Sequence, residues 1–262
     1  MKETTMLYNY HNHTSRCHHA TGEVREYIEA AISGGVKYFG FSEHIPFVFP
    51  ENYEPWSKLQ SSEVSDYFNE INALREEFKD KIDISIGYEM EYYPKFFEEM
   101  YKSAKKAGAE YLILGQHFLG GEGIYGINAF IATEDKSVLC EYADTIVEAM
   151  KTGVFTYVAH PDVLTYLGDE KDYREEMRKV CVASRETGVP VEINLNGIYF
   201  GRSYPKEEFW ELAGEEKCPV VIGCDAHEPK RACDMVSFKT AMEMVKKYKL
   251  NLLEKPELVS LK

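Results

Sequence analysis

No two of the six cysteines form a C-x-x-C pair; Cys17, Cys140, Cys181, Cys218, Cys224 and Cys233 are scattered along 262 residues. A chain of this length buries a proper core without stapling, so reduced thiols are expected and a disulfide framework is not. The start, MKETTMLYNYHNH, has no apolar leader core, and no run approaches the roughly 18 apolar residues of a membrane span. A soluble, cytoplasmic protein is the expectation. Basic residues are scarce, 30 against 44 acidic ones, for a net charge of −14. Such a surface repels nucleic-acid phosphates and anionic lipid, which argues against nucleic acid and membrane as partners. A small phosphorylated molecule stays compatible, because bound cations reverse the field locally. The chain also lacks a G-x-G-x-x-G after its first strand and any GKS or GKT motif, which weakens a nucleotide-binding open sheet. With no linker rich in Pro, Gly or Ser, one domain over 1–262 is expected.

Short apolar runs alternate with longer amphipathic segments. Strands are predicted at 7–12, 36–42, 82–90, 111–116, 155–159, 189–194 and 219–224. Helical patterns occupy 23–33, 62–80, 94–107, 135–152, 172–187, 206–216 and 235–249. Thr21-Gly22 is the expected cap of the first helix, and Ser61 or Ser62 that of the second. The repeated join of helix, glycine and strand is the mark of αβ loops. Seven such βα repeats make an α/β chain with a parallel sheet, either a barrel or a doubly wound sheet. The aromatic segments 46–59 and 117–133 are expected to cover the mouth of a site.

Histidine is the residue that stands out. Four of the eight fall within the stretch YNYHNHTSRCHHATG. His11 and His13 end the first predicted strand, and His19 lies in the loop after it. His44, His117, His160 and His227 each sit where another strand stops, and only His18 is left over. In a parallel barrel those ends converge on one face, the one that carries the active site. Residues two apart on a strand share a side, so His11 and His13 can grip one ion together, as can Asp225 and His227. Strand three offers Glu89 and Glu91. Glu89 is nearer the strand body and is favoured as a ligand bridging two ions, with Glu91 as a loop or supporting carboxylate. The candidate ligands are then His11, His13, His19, His44, Glu89, His117, His160, Asp225 and His227. A mixed His, Asp and Glu set suits zinc, iron or manganese, and nine ligands suggest two or three divalent ions. Closely spaced ions are typical of phosphoester hydrolysis.

The ordered motifs H-x-H, S-E-H, G-Y-E, G-Q-H-F, A-H-P and G-C-D-A-H resemble the polymerase and histidinol phosphatase (PHP) family, over nearly the whole chain. HNHTSRCHHA and EINLNGIYFGRSYP are similar to its histidinol-phosphate phosphatase branch. The resemblance implies a distorted (β/α)7, TIM-barrel-like fold and a trinuclear site. It also implies hydrolysis of L-histidinol phosphate to histidinol and phosphate in histidine biosynthesis. It selects His19 over His18, six residues after the second histidine of H-x-H.

Among cations for the phosphate, Arg202 is the first choice because a guanidinium fork matches phosphate oxygens; Arg16 is the second. Asp225 and His227, at the edge of the ion cluster, are the candidates for catalytic proton transfer. Phe47, Trp56, Phe118 and Tyr199 are loop aromatics available to an organic substrate, and Glu43 is either a support for the site or an exposed acid. Two other readings stay open: a phosphoesterase of this type acting on another small ester such as a nucleotide, and a metal-binding regulatory domain without activity.

Overall fold

The computed structural model describes residues 5–261. Its strands are β1 (Tyr8–Asn9), β2 (Tyr38–His44), β3 (Asp83–Met90), β4 (Tyr111–Leu114), β5 (Phe118–Leu119), β6 (Ile127–Asn128), β7 (Val191–Asn194), β8 (Pro219–Gly223) and β9 (Asn251–Leu252). Its helices are α1 (Val24–Ser33), α2 (Val64–Phe78), α3 (Phe97–Ala107), α4 (Lys136–Lys151), α5 (Glu170–Thr187), α6 (Leu195–Phe200), α7 (Glu207–Glu216) and α8 (Met235–Lys247).

The parallel order β1-β2-β3-β4 continues through single bridges into a closed ring. Leu114 bridges Val158, and Val158 bridges Val191 on β7. β7 pairs with β8. Beyond β8, Ala226 returns to the first strand, with His13 N–H donating to Ala226 O at 3.0 Å and Ala226 N–H to His11 O at 3.3 Å. Seven segments therefore surround one axis, which decides for the barrel over the doubly wound sheet. The distortion is local. The fifth predicted strand, 155–159, shrinks to its bridges because Pro190, its partner across the ladder, has no N–H to give.

Tyr8, Tyr10, Tyr111, Ile113, Tyr157, Ala159 and Val221 form one buried apolar cluster, which Leu253 and Leu258 close from the C-terminal segment. Their spacing of two along the strands is that of barrel-interior positions. A larger cluster lies between strands and helices, including Phe39, Phe41, Tyr142 and Trp210.

The helices follow the predicted pattern, with corrections at their ends. α1 starts on a capping box of Glu23 and Glu26 in place of Thr21-Gly22, and the turn before α2 on one of Gln60 and Glu63 in place of a serine. Gly108 and Gly188 end α3 and α5 in the left-handed conformation that glycine adopts without a Cβ penalty. Not anticipated were the hairpin β5–β6, the short α6 that leaves β7 directly, and β9 beside β8. No helix of the described residues is long and apolar enough to cross a membrane.

Candidate metal centre

The parallel ladders bring the predicted donors together. His44 ends β2 in register with Glu89 on β3. His117 follows β4, His160 follows the Val158 bridge, and Asp225 and His227 follow β8. Imidazole rings of successive strands stand close: His13 and His44 at 4.2 Å between centroids, His13 and His227 at 4.3 Å, His117 and His160 at 4.9 Å. His19 reaches the group through His227, at 4.8 Å. His18 does not; its ring faces Glu63.

The donor atoms fall into overlapping trios, each within 4.8 Å: His11, Glu89 and His160; His11, His13 and Asp225; His44, Glu89 and His117; His13, His44 and His227. Cys17 makes a further trio with His19 and His227, a thiol that was not among the expected ligands. Glu89 enters two trios, as a bridging carboxylate must. His11 Nε2 lies 3.6 Å from both Glu89 Oε1 and Asp225 Oδ1, and His13 Nε2 lies 3.3 Å from Asp225 Oδ1. Two ligands held at about 2.1 Å on a tetrahedral ion are separated by about 3.4 Å. The buried atoms His11 Nε2 and His13 Nε2 have no hydrogen-bond partner, and His44 Nδ1 and Glu89 Oε2 stand 2.9 Å apart without an aligned hydrogen bond. Orphaned polar atoms facing one another are costly unless something else satisfies them, and divalent cations fit this donor set.

A layer of carboxylates behind the imidazoles fixes their tautomers. His11 Nδ1 meets Glu192 Oε1 at 2.8 Å, His13 Nδ1 meets Glu43 Oε1 at 3.2 Å, and His117 Nδ1 meets Glu91 Oε1 at 3.0 Å. In each pair an Nδ1–H donating to the carboxylate leaves the Nε2 lone pair free for an ion. Glu43 is thus wholly buried, and Glu91 supports His117 while its other oxygen accepts from Lys58 at 2.6 Å. Glu192 was missed by sequence reasoning, because in VEIN it looks like one polar residue of a strand. Asn194 and Asn196, both 3.3 Å from Asp225 Oδ2, were missed too.

Two glycines make room for this layer. A Cβ at Gly115 would lie 1.9 Å from Glu89 Oε1, and one at Gly223 would lie 1.9 Å from Glu192 Oε1. The backbone is also strained here: His160 (φ 29°) and Asp225 (φ 49°) are positive-φ residues without being glycine. Strain of this kind, roughly 1–3 kcal/mol at each residue, gathers where a site over-determines the chain.

The electrostatics prepare ligands. Burial pushes Glu89 upward, but His117, His11 and His44 hold it well below the carboxylate range. Asp225 is held down in the same way by His11 and His13. Burial, reinforced by the neighbouring His13, takes His44 down to about 4 and His227 to about 3. Ionised carboxylates and neutral imidazoles are the forms that bind metal. Three imidazoles differ: burial would lower each, yet Glu192 and Asp225 hold His11 well above its usual value, Asp225 and Glu43 raise His13 to about 9, and Glu89 and Glu91 raise His117.

Above the donors opens a cavity of about 550 Å³. Arg202 lines it, exposed beside the Phe200 ring and without an ion pair among the described residues. Trp56 and Phe118 also line it, as expected of the two covering loops. Three of the candidates are not among its lining residues. Arg16 is 2.6 Å from Glu70 and is not among the lining residues. Phe47 is buried against Phe49 and Phe96. Tyr199 lies under the Arg231 guanidinium, 3.4 Å from its ring centroid.

Comparison with known proteins agrees with this geometry. A probable histidinol-phosphatase of Deinococcus radiodurans is 29% identical over 232 residues, which cover 86% of this chain and 88% of the relative. A histidinol-phosphatase of Lactococcus lactis is 26% identical over 257 residues, 92% of this chain and 90% of its own. The fold matches a crystal structure of the Lactococcus lactis histidinol phosphate phosphatase complexed with zinc, L-histidinol and phosphate. The TM-score is 0.75 at 24% identity, over 98% of both chains. The family model for the PHP domain matches residues 9–196. That span runs from the first histidines through β7, so the strand ends that gather most of the donors all fall inside it, and the chain belongs to the PHP domain family.

Proposed function

We propose that this chain is a metal-dependent phosphomonoesterase hydrolysing L-histidinol phosphate to L-histidinol and phosphate, a cytoplasmic step of histidine biosynthesis. One observation carries the reading: a cluster of the nine expected donors, joined by Cys17, lies under a cavity of about 550 Å³, a size suited to a small molecule. The substrate follows from the relatives named histidinol-phosphatase. The net charge of −14 supports a small ester over a nucleic-acid chain or a membrane surface.

Two or three divalent ions, zinc, iron or manganese, would supply activation of water near neutral pH and neutralisation of phosphoryl charge. The proposed ligands are His11, His13, His19, His44, Glu89, His117, His160, Asp225 and His227. Glu192, Glu43 and Glu91 keep His11, His13 and His117 turned toward the cluster. Arg202 binds the unbridged phosphoryl oxygens with its forked N–H groups. Asp225 and His227 line the cavity; an ionised carboxylate and a neutral imidazole are proton acceptors, suited to taking a proton from the attacking water and passing it to the leaving alkoxide oxygen.

The test is phosphate release by the metal-loaded protein from a panel of phosphomonoesters. L-histidinol phosphate is expected to give the highest kcat/KM. Equal or better turnover of nucleoside monophosphates or p-nitrophenyl phosphate would overturn the substrate, and no turnover of any ester would overturn the activity.

A further inference from the structure

Two poles of charge face each other across the cavity. Arg202 belongs to the arc of β7, through α6. Lys58, Glu91 and Glu122 belong to the arc of β2, β3 and β4, on the other side of the seven-membered ring. Lys58 is buried and lies 2.6 Å from Glu91 Oε2 and 2.8 Å from Glu122 Oε2. One ammonium against two carboxylates leaves this wall one negative charge in excess.

The two acids are not equivalent. Both oxygens of Glu91 are used, one by His117 and one by Lys58. Glu122 is 3% exposed, yet its Oε2 accepts no aligned hydrogen bond. No partner reaches its Oε1 among the described residues. A carboxylate so buried, with Lys58 its one partner, keeps acceptor capacity for a further donor from the cavity it lines. The exposed rings of Trp56 and Phe130 flank the same wall, and Phe130 stacks on His117 at an interplanar angle of 13°.

Resting on the function proposed above, we propose that Glu122, positioned by Lys58, is the specificity residue that binds the ammonium group of the substrate. L-histidinol phosphate is anionic at one end and carries an amine, cationic at neutral pH, at the other. Its phosphate is drawn to Arg202 and the donor cluster, which directs the ammonium toward the wall of excess negative charge. A full cation with three donors satisfies Glu122 better than a neutral imidazole can. Esters without that amine leave Glu122 with Lys58 as its one partner and are discriminated against.

The experiment compares L-histidinol phosphate with its deamino analogue, 3-(imidazol-4-yl)propyl phosphate, on the metal-loaded wild type and Glu122→Gln. The wild type is expected to favour the amine by about ten- to a hundredfold in kcat/KM, the range of one hydrogen bond to a charged group. Glu122→Gln is expected to lose that ratio, chiefly through KM. Product inhibition gives a second readout: L-histidinol should inhibit Glu122→Gln about tenfold or more weakly, with inhibition by inorganic phosphate retained. A Glu122→Gln enzyme that keeps the wild-type ratio and the wild-type inhibition by L-histidinol overturns the assignment of Glu122 alone. A wild type that prefers p-nitrophenyl phosphate to L-histidinol phosphate overturns the function beneath it, and one indifferent to the amine overturns the ammonium subsite.

Discussion

A methyl group at position 115 would stand 1.9 Å from Glu89 Oε1, closer than any real contact allows. Gly115 N–H donates to Met90 O, so the backbone there is tied to β3 and the carboxylate is the part that must yield. Gly115→Ala is therefore expected to lower metal affinity about 10- to 100-fold, the loss usual for a disturbed ligand environment, with far-UV circular dichroism unchanged. Full metal content in that variant would remove Glu89 from the proposed ligand set. Protons compete at His13. Its pKa in the metal-free protein is raised to about 9, so the stability it contributes is complete below its unfolded value near 6.5 and disappears as pH climbs through about 9. A bound cation must displace that proton, so metal affinity rises over the same interval. The increase in Tm on adding metal should thus grow from pH 6.5 to 9, and a flat profile would contradict it. Sequence alone set out most of these residues, since strand-end histidines advertise themselves. It could not find Glu192, whose partner His11 is 181 residues away, nor foresee that Glu70 engages Arg16 across 54 residues of chain.

At the scale of elements, the helices owe their ends to local chemistry that is independent of the site. The Asp169 side chain accepts from the backbone N–H of Lys171 at 2.7 Å and caps α5. α5 packs between α4 and α7 on the outside of the ring. Asp169→Ala should cost about 1 kcal/mol, measured by denaturant unfolding, and leave metal content and phosphatase activity intact. Loss of activity at the same protein stability would show that α5 communicates with the strand ends. Helix positions were readable because a 3.6-residue period and a terminal glycine are properties of adjacent residues. The strand over 155–159 was readable as an apolar run, but its ladder depends on Pro190, thirty-odd residues on, and it survives only as bridges around Val158. The β5–β6 hairpin and α6 are too short to leave a period, and residues of both line the cavity.

For the whole molecule, the donors come from six of the seven segments of the ring, all but β7: β1, β2, β3, the end of β4, the Val158 segment and the end of β8. Ions held among them tie together segments that are joined elsewhere by single bridges, such as Asn12 to Ala226. Metal binds the folded chain only, so it stabilises by about 2.7 kcal/mol at a concentration 100 times Kd. At about 2–4 °C for each kcal/mol in a protein of this size, chelation should lower Tm by roughly 5–10 °C, and restoring zinc or manganese should reverse it. An unchanged Tm after verified metal removal would mean that the ring closes without help from the cluster.

By itself the sequence determined the chemical kind of the donors, their placement at strand ends, and the βα alternation, because these depend on periodicity and on neighbours a few residues apart. Tertiary structure alone decided how the sheet closes and that Glu43 and Glu192 stand behind the imidazoles; it also gave geometry to two preferences the sequence already held, Glu89 facing the cluster while Glu91 braces His117, and His19 turning inward while His18 turns outward. Those choices turn on distances of a few ångströms between segments far apart in the chain, and such distances are fixed only when the ladder from β1 to β8 meets itself at Asn12 and Ala226.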